Sequence, residues 1–385
     1  MKLLAAPLAT LLLMSLPNPA PGQAGELGSL PEGTLLLSHC PEDQARGDDT
    51  CQVADPILLT TDEAPELFSL DPVGEQQVTD NDLYEFGSAA WSPSGKKLAL
   101  SGGPRFDVEE CRAYVVTTST GTASPITPDV ELACPFVEDW SPDGRWILMT
   151  VRFHDGPVQL YKVRPDGTRL RALTDYDYED QWVEGAQLIH DGRKILYWGD
   201  PGRREGIGVM RSDGRFIRTL VRLRSSRSSP KILGEVSVAP DDRRVAFVVY
   251  DGFEKTHEPD EVFVIDLAGR TRRRLTFNET DETALSWGPS SKRVAVVQGS
   301  MYGAEPAPVI KIIPVGAGPV VKLRRPAEGA IDRWSAPVWS PSGDHVAFMV
   351  EDDTGDAAYV GNTRNGEITR VTDFHYPFEL FSWTP

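Results

Sequence analysis

The chain has 385 residues, 40% of them hydrophobic, and a formal net charge of −18 at pH 7. The strongly negative balance argues against nucleic acid and anionic lipid as partners. Beyond the first 24 residues, no stretch is apolar for the ~20 residues that a membrane-spanning helix needs. The composition therefore predicts a folded protein that does not insert into a membrane.

The first element in chain order is an apolar segment that runs from Leu3 to Leu16 and follows a basic residue, Lys2. Pro7 interrupts it, it is too short to span a bilayer, and small residues precede Gly25. These features predict a secretory signal peptide over residues 1–24 and a single domain over residues 25–385. We therefore expect an exported protein, located in the periplasm or secreted.

Four cysteines remain after the predicted cleavage, and in an oxidising compartment such thiols form disulfides. Cys40 and Cys51 flank a polar loop, while Cys111 and Cys134 fall at the same predicted rim of neighbouring repeat units. Four cysteines allow three pairings. We predict the pairs 40–51 and 111–134.

A ten-residue pattern recurs along most of the chain. Clear copies are WSPSGKKLAL at Trp91, WSPDGRWILM at Trp140 and WSPSGDHVAF at Trp339, and weaker copies begin at Leu188, Val238 and Trp287. The copies start 48 to 52 residues apart. Ser-Pro-Asp/Ser-Gly favours a tight turn, and the apolar run after it favours a buried strand.

A second pair of strands follows about twenty residues later in each repeat. Examples are QLYKVRPDGTRLRALT, from Gln159 to Thr174, and EVFVIDLAGRTRRRLT, from Glu261 to Thr276, each with a glycine turn in the middle. Four strands in a unit of about 50 residues are typical of one blade of a β-propeller.

The two ends of the chain carry the halves of one further repeat. The chain ends with FSWTP, from Phe381 to Pro385, and PEGTLLLSH, from Pro31 to His39, supplies the missing remainder. Six internal copies and one split copy predict an all-β fold, a seven-bladed β-propeller of four-stranded antiparallel blades. Its first blade is closed by the C-terminal strand, which leaves no unpaired inner edge.

The W-S-P-D-G turn, the apolar strands, the D-G turn and the basic-L-T ending together resemble the TolB-type, WD-repeat-like β-propeller repeat family. The resemblance covers nearly everything from Gly33 onward. It implies a propeller that docks partner proteins at the cell envelope. Because strands begin within about ten residues of the predicted cleavage site, the separate N-terminal α/β domain of TolB is not expected.

Catalytic motifs are absent from the sequence. It has no G-x-S-x-G, no H-E-x-x-H and no C-x-x-C, and its six histidines are scattered. Oligogalacturonate lyases are seven-bladed enzymes of similar length, but their metal site leads us to expect clustered histidines. We therefore expect no cofactor, although the acidic oxygen ligands leave calcium possible.

Acidic residues are concentrated where the chain leaves one blade for the next. The stretches are TDNDLYE (79–85), TDYDYEDQW (174–182) and NETDE (278–282), with aromatic residues interleaved. These connections fall on one face, at the mouth of the predicted central channel. The candidate partner-binding residues are Tyr84, Glu85, Asp180, Trp182, Asp281, Glu282, Asp332, Trp334 and Tyr376.

Carboxylates in a concave mouth attract positive charge, and aromatic rings offer flat apolar contact. We therefore predict a monomeric, non-enzymatic binding or scaffold protein that takes an envelope or extracellular protein or peptide, preferably a cationic one. The alternative is a polysaccharide lyase or hydrolase with its site at the same mouth. An acidic rim that only keeps an exported protein soluble is a further interpretation.

Overall fold

The computed structural model describes the residues 34–39, 66–70, 75–77, 84–103, 112–120, 122–128, 135–152, 156–176, 182–189, 192–200, 206–223, 231–251, 261–277, 280–299, 308–324, 331–352, 355–372 and 379–384. Every regular element among these residues is a β-strand. The predicted all-β class is therefore confirmed.

The strands form four-stranded units that follow one another along the chain. Unit 1 contains β1 (Thr34–His39), β2 (Glu66–Leu70), β3 (Glu75–Gln77) and the C-terminal β29 (Glu379–Thr384). Unit 2 contains β4 (Tyr84–Trp91), β5 (Lys97–Gly103), β6 (Arg112–Thr117) and β7 (Thr122–Pro125). Unit 3 contains β8 (Pro135–Trp140), β9 (Ile147–Arg152), β10 (Val158–Val163) and β11 (Arg171–Ala172).

The remaining units follow the same plan. Unit 4 contains β12 (Trp182–Leu188), β13 (Lys194–Asp200), β14 (Gly206–Arg211) and β15 (Phe216–Arg222). Unit 5 contains β16 (Lys231–Val238), β17 (Arg244–Asp251), β18 (Glu261–Asp266) and β19 (Arg272–Arg274). Unit 6 contains β20 (Glu282–Trp287), β21 (Arg293–Gln298), β22 (Val309–Pro314) and β23 (Val321–Lys322).

Unit 7 divides its first strand into two segments. These are β24 (Ile331–Trp334) and β25 (Val338–Trp339), and both pair with β26 (His345–Asp352) before β27 (Gly355–Asn362) and β28 (Ile368–Arg370) follow. Neighbouring strands within each unit are antiparallel, as predicted, and β29 pairs antiparallel with β1. One parallel bridge, between Val158 and Trp182, connects units 3 and 4.

The turn between the first and second strands has the conformation that the sequence predicts. Gly95, Gly144 and Gly343 have φ angles of 66°, 70° and 76°. In the two copies without glycine, Asp242 and Ser291 occupy the same position with φ angles of 55° and 59°. We call the side of the fold that carries these turns the turn face and the opposite side the mouth face.

The hydrophobic core lies between neighbouring units, because strands such as β17 are covered on both sides. Val245, Ala246, Phe247 and Val248 are all fully buried, and successive residues along this strand belong to two different clusters. Trp287 of unit 6 packs in the same cluster as residues of unit 5. The repeated tryptophan therefore fills the space between two units.

Hydrogen bonds and stacking hold this tryptophan in place. The indole N–H of Trp287 donates to the carbonyl of Ser237 (3.0 Å), and that of Trp339 donates to the carbonyl of Ser286 (3.1 Å). The guanidinium carbons of Arg244 and Arg293, which begin the second strands of the preceding units, each lie 5.3 Å from the ring centre. The basic residue and the tryptophan thus form one inter-unit contact.

The first strands of the units contact one another in succession. β4 contacts β8, β8 contacts β12, β16 contacts β20, β20 contacts β25, β25 contacts β29, and β29 contacts β4. Units 4 and 5 are joined where the amide of Val238 donates to Oε1 of Gln187 (3.3 Å). No helix in the described ranges is long and apolar enough to cross a membrane.

Candidate functional site

A β-bulge interrupts the first strand in each of units 2 to 7. In β8 the pairing passes from Val137 directly to Asp139, and in β12 it passes from Val183 to Gly185. Corresponding shifts occur in β4, β16, β20 and β24. Bulges change the direction of a side chain and are enriched next to functional sites.

The residues omitted from the pairing are acidic in four of the six strands. Glu138, Glu184 and Asp332 are the single omitted residues of β8, β12 and β24, and Glu235 is omitted from β16 together with Gly234. We call Glu138, Glu184 and Glu235 the bulge carboxylates. They lie on the first strands of three consecutive units.

Glu138 is held between units 3 and 4. Its Oε1 accepts a hydrogen bond from the Thr150 hydroxyl (2.6 Å), and its Oε2 accepts one from the backbone amide of Ala186 (3.2 Å). The pKa of Glu138 is raised to about 7, mainly by burial and to a smaller extent by the negative charges of Asp139 and Glu184, while the two hydrogen bonds act in the opposite direction. The side chain therefore sits among other carboxylates.

The charge of Glu184 also acts on Glu235, in the next unit. Burial raises the pKa of Glu235 to about 7, and the negative charge of Glu184 adds to the shift. Glu184 and Glu235 each keep more than a third of their surface accessible, so both side chains contact solvent. Glu184 is thus electrostatically coupled to Glu138 and to Glu235, and the three units contribute to one negative region.

Backbone contacts between units fix the strands that carry these residues. The Asp139 carboxylate accepts a bond from the amide of Leu188 (2.8 Å) through Oδ2, one unit further along. Through Oδ1 it accepts a bond from the amide of Trp140 (2.7 Å). Between units 4 and 5, the bond from the Val238 amide to Gln187 corresponds to the bond from the Leu188 amide to Asp139. The spacing of the bulge carboxylates therefore rests on inter-unit hydrogen bonds.

Three of the residues predicted from the sequence can be placed with their surroundings. Trp182 begins β12, is half-buried and lies opposite Asp200, next to the mouth face. Asp281 is exposed directly before β20, and its carbonyl accepts a bond from the amide of Gly299 (2.8 Å). Glu282 is fully buried and its Oε1 accepts a bond from the Gln298 amide (3.3 Å), so it faces the interior of its unit.

Four further predicted residues are placed by their backbone. Tyr84 and Glu85 begin β4 and pair with Gly103 and Gly102. Asp332 and Trp334 belong to β24, where Asp332 occupies the bulge. The structure therefore brings Asp332 to the same structural position as the bulge carboxylates.

The remaining predictions fall outside the described residues. These are Asp180 and Tyr376, the cysteines Cys40, Cys51, Cys111 and Cys134, and the signal peptide over residues 1–24. Their roles stay predictions.

Sequence reasoning missed Glu138, Glu184 and Glu235. They occupy different offsets from the repeated tryptophan position, two, four and three residues before it. All three are acids within first strands that are otherwise largely apolar, which is the one signal that the sequence offers for them. No three His, Cys, Asp or Glu side chains within the described ranges lie close enough together to hold a metal ion.

No protein-family model matches the sequence, and a search of curated proteins finds no match. The fold is nevertheless similar to several solved structures. Oligogalacturonate lyase in complex with manganese aligns with a TM-score of 0.62 and 14% identity, over 78% of this chain and 84% of that one. Puromycin hydrolase aligns with a TM-score of 0.61 and 19% identity, over 82% of this chain and 50% of that one.

The chain thus spans about half the length of the hydrolase that it matches. TolB from Acinetobacter baumannii aligns over 92% of this chain and 67% of its own, with a TM-score of 0.51 and 17% identity. At such identities the similarity establishes the fold and leaves the activity open. The chain has a TolB-like β-propeller fold.

Proposed function

We propose that this chain is an exported, non-enzymatic binding protein that takes a cationic segment of an envelope or extracellular partner into its acidic channel mouth. The observation that carries the proposal is that Glu138, Glu184 and Glu235 lie at the bulges of three consecutive units, where the charge of Glu184 acts on both of the other carboxyl groups. Neighbouring carboxylates of like charge oppose one another, and a cationic ligand would relieve that repulsion.

The electrostatics of the bulge carboxylates support a cationic ligand rather than a neutral one. Burial is the main cause that raises the pKa of Glu138 and that of Glu235 to about 7, and the charged neighbours that add to each shift are carboxylates. An approaching lysine or arginine would favour the ionised form of each group and lower its pKa. Binding would therefore release protons near neutral pH.

The overall architecture proposed here is a single seven-bladed ring closed between the two ends of the chain. The pairing of β29 with β1 and the successive contacts of the first strands support it. In a closed ring the first strands line a central channel, and the bulges would direct side chains into it. Trp182 and Asp281 would then stand at the rim of the mouth.

The other predictions belong to the same proposal. We propose a cleaved signal peptide over residues 1–24, a location in the periplasm or outside the cell, and a monomer. Disulfides Cys40–Cys51 and Cys111–Cys134 would each add roughly 2–4 kcal/mol of stability. Calcium is a possible additional ligand, because carboxylate oxygens are the atoms that it prefers.

Capture of a partner from envelope extract tests the proposal. The mature protein is immobilised, and bound proteins are compared with those held by a variant carrying Glu184→Lys and Asp281→Lys. We expect the mature protein to capture a cationic partner and this variant to lose it. The matched control carries Lys96→Glu and Arg243→Glu on the turn face and should retain it. A partner held by the first variant and lost from the control would contradict the proposal.

An enzymatic function is the second candidate, favoured by one observation. A pKa of about 7 suits a general acid or base at neutral pH, and Glu138 and Glu235 both have one. A polysaccharide lyase or hydrolase could use such groups. Incubation with polygalacturonate, followed by measurement of new reducing ends, tests this candidate. If the wild type forms new reducing ends and Glu138→Gln and Glu235→Gln each abolish this activity, the enzymatic function would replace the binding function.

A further inference from the structure

The groove between units 3 and 4 on the turn face differs from the junctions of units 5 and 6 and of units 6 and 7. Between units 5 and 6, Arg244 stacks on Trp287, and between units 6 and 7, Arg293 stacks on Trp339. Each pair places a guanidinium group on an indole ring between the two units. The paired positions are the tryptophan of one unit and the residue six places after the corresponding position in the preceding unit.

Both members of this pair are replaced at the junction of units 3 and 4. Unit 4 has Leu188 where units 6 and 7 have tryptophan, and unit 3 has Trp146 where units 5 and 6 have arginine. Leucine is smaller than tryptophan, so the indole that fills this space in units 6 and 7 is absent. Trp146 is half-buried and forms one wall of the space that results.

The groove has a volume of about 520 Å³, which is in the usual range for a small-molecule site. Its floor is apolar and consists of Trp146, Leu148, Leu188 and Ile195. The turns of the two units form its edges, where Pro142 lies 3.6 Å from the position that a Cβ on Gly192 would take. The groove is therefore open at the surface and apolar below.

Two basic side chains stand over this floor. The Lys162 Nζ lies 4.4 Å from the centre of a Trp146 ring and donates to the carbonyl of Ser212 (2.5 Å). An ammonium group has three donors, so two more are available to a ligand. Arg193 contributes an exposed guanidinium to the same lining.

The lining of the groove contains one acidic residue, Asp143, against the two basic ones. Asp143 lines the groove, but its Oδ1 accepts bonds from the Ser141 hydroxyl (2.7 Å) and the Arg145 amide (3.1 Å). Burial lowers the pKa of Lys162, and the positive charge of Arg171 lowers it further, while Asp213 acts in the opposite direction. An anion beside Lys162 would offset the burial and the repulsion.

We propose that this groove binds a carboxylate attached to an apolar or aromatic group. The carboxylate would contact Lys162 and Arg193, and the apolar part would lie on Trp146 and Leu188. A free organic acid and the C-terminal residue of a peptide share this chemistry. The site is on the face opposite the acidic mouth and is independent of the function proposed above.

Ligand-observed fluorine NMR tests the proposal with 4-fluorophenylacetate as the probe and 2-(4-fluorophenyl)ethanol as its neutral counterpart. The acid is expected to bind at least about tenfold more tightly than the alcohol, because a charge-assisted hydrogen bond contributes that much. Lys162→Gln should remove this preference. Leu188→Trp should refill the groove and abolish the binding of both probes.

Lys292→Gln, which removes a lysine from another groove of the turn face, is the control and should change nothing. A pentapeptide ending in phenylalanine, with a free or an amidated C-terminus, separates the two sources of the ligand. Preference for the free terminus assigns a peptide end, and binding of the small acid alone assigns an organic acid. Equal binding of acid and alcohol, or full binding to Leu188→Trp, would overturn the proposal.

Discussion

Two kinds of carboxylate occur in this protein, and their surroundings shift the pKa in opposite directions. The turn residues Asp143, Asp166 and Asp213 accept hydrogen bonds from nearby backbone amides or hydroxyls, which lower the pKa of each. Glu138 and Glu235 lose hydration inside the fold, which raises theirs. At the residue scale, the turn acids favour folding when ionised and the bulge acids favour it when protonated.

The raised pKa values of two bulge carboxylates, Glu138 and Glu235, predict how the stability of the protein changes with pH. The folded protein retains protons on Glu138 and Glu235 up to about pH 7, whereas the unfolded chain releases them near the ordinary value of 4.5. Stability contributed by these groups is present below pH 4.5 and is lost as pH rises to 7. Glu138→Gln and Glu235→Gln should each recover about 1 kcal/mol or less at pH 8, since solvent screens the open groups.

Thermal unfolding of the wild type and of each variant at pH 5 and pH 8 measures this effect. The variants should show a smaller difference between the two pH values than the wild type does. Asp213→Asn is the control, because its lowered pKa lies outside this window and its removal should leave the difference unchanged. An unchanged difference in both glutamine variants would show that the bulge acids do not control the pH dependence.

Some residues could be predicted from the sequence because a single local interaction determines them. The glycine of the S-P-D-G turn is one, since the turn needs a positive φ and Gly95, Gly144 and Gly343 adopt it. The bulge carboxylates could not be predicted in this way. Their position depends on where each first strand loses register with its partner, and Glu138, Glu184 and Glu235 share no sequence offset.

At the scale of elements, the second strand of one unit is fastened to the first turn of the next. Arg293 donates to the carbonyl of Gly343 (2.7 Å) and to the hydroxyl and carbonyl of Thr363 (3.0 and 3.2 Å) while it stacks on Trp339. Arg244 makes the corresponding bond to the carbonyl of Ser291 (2.5 Å). A lysine occupies the corresponding position in units 2 and 4, as Lys97 and Lys194.

Arg293→Gln is expected to lower the free energy of unfolding by about 1–3 kcal/mol, because it removes several partly buried hydrogen bonds and a ring contact. Lys292→Gln, one residue earlier and exposed, should stay within about ±0.5 kcal/mol. Urea unfolding followed by tryptophan fluorescence measures both changes. Equal effects of the two substitutions would show that Arg293 does not join units 6 and 7.

The strands themselves were predictable because their hydrophobic runs are buried on both sides, as in β17 and β21. The short outer strands were harder to bound. β11 and β23 contain two residues each, and their arginine and lysine side chains face solvent, so no apolar period marks them. Hydrogen bonding to the third strand, rather than burial, determines where they end.

At the scale of the whole molecule, the pairing of β29 with β1 predicts that the C-terminus is essential for stability. Deletion of residues 381–385 would remove most of β29 and leave β1 with an unpaired edge. We expect a loss of several kcal/mol, as for other large truncations that include an aromatic residue. Deletion of Pro385 alone, which follows β29, is the control and should have little effect.

Thermal unfolding compares the two deletions with the full chain. Melting of the longer deletion within a degree or two of the full chain would contradict the proposed closure. A large loss in that variant alone would support a ring joined between its two ends.

Charge is distributed unevenly between the two faces. Grooves of the turn face are lined by basic side chains, among them Lys97, Arg145 and Arg164 near unit 3 and Lys292 and Arg364 near unit 7. The bulge carboxylates and Asp281 lie away from these turns. A cationic ligand should therefore approach the mouth face, and salt should slow that approach because exposed charges are screened over ~10 Å at 0.1 M.

Binding of a fluorescein-labelled octalysine peptide, followed by fluorescence anisotropy at low and high salt, tests the central claim most directly. One variant combines Glu138→Gln, Glu184→Gln and Glu235→Gln. A matched variant replaces the same number of acidic residues on the turn face through Asp143→Asn, Asp166→Asn and Asp213→Asn. We predict that the first variant binds at least about tenfold more weakly than the wild type and that the second binds nearly as well. Equal losses in the two variants, or wild-type affinity in the first, would contradict an acidic channel that binds cationic partners.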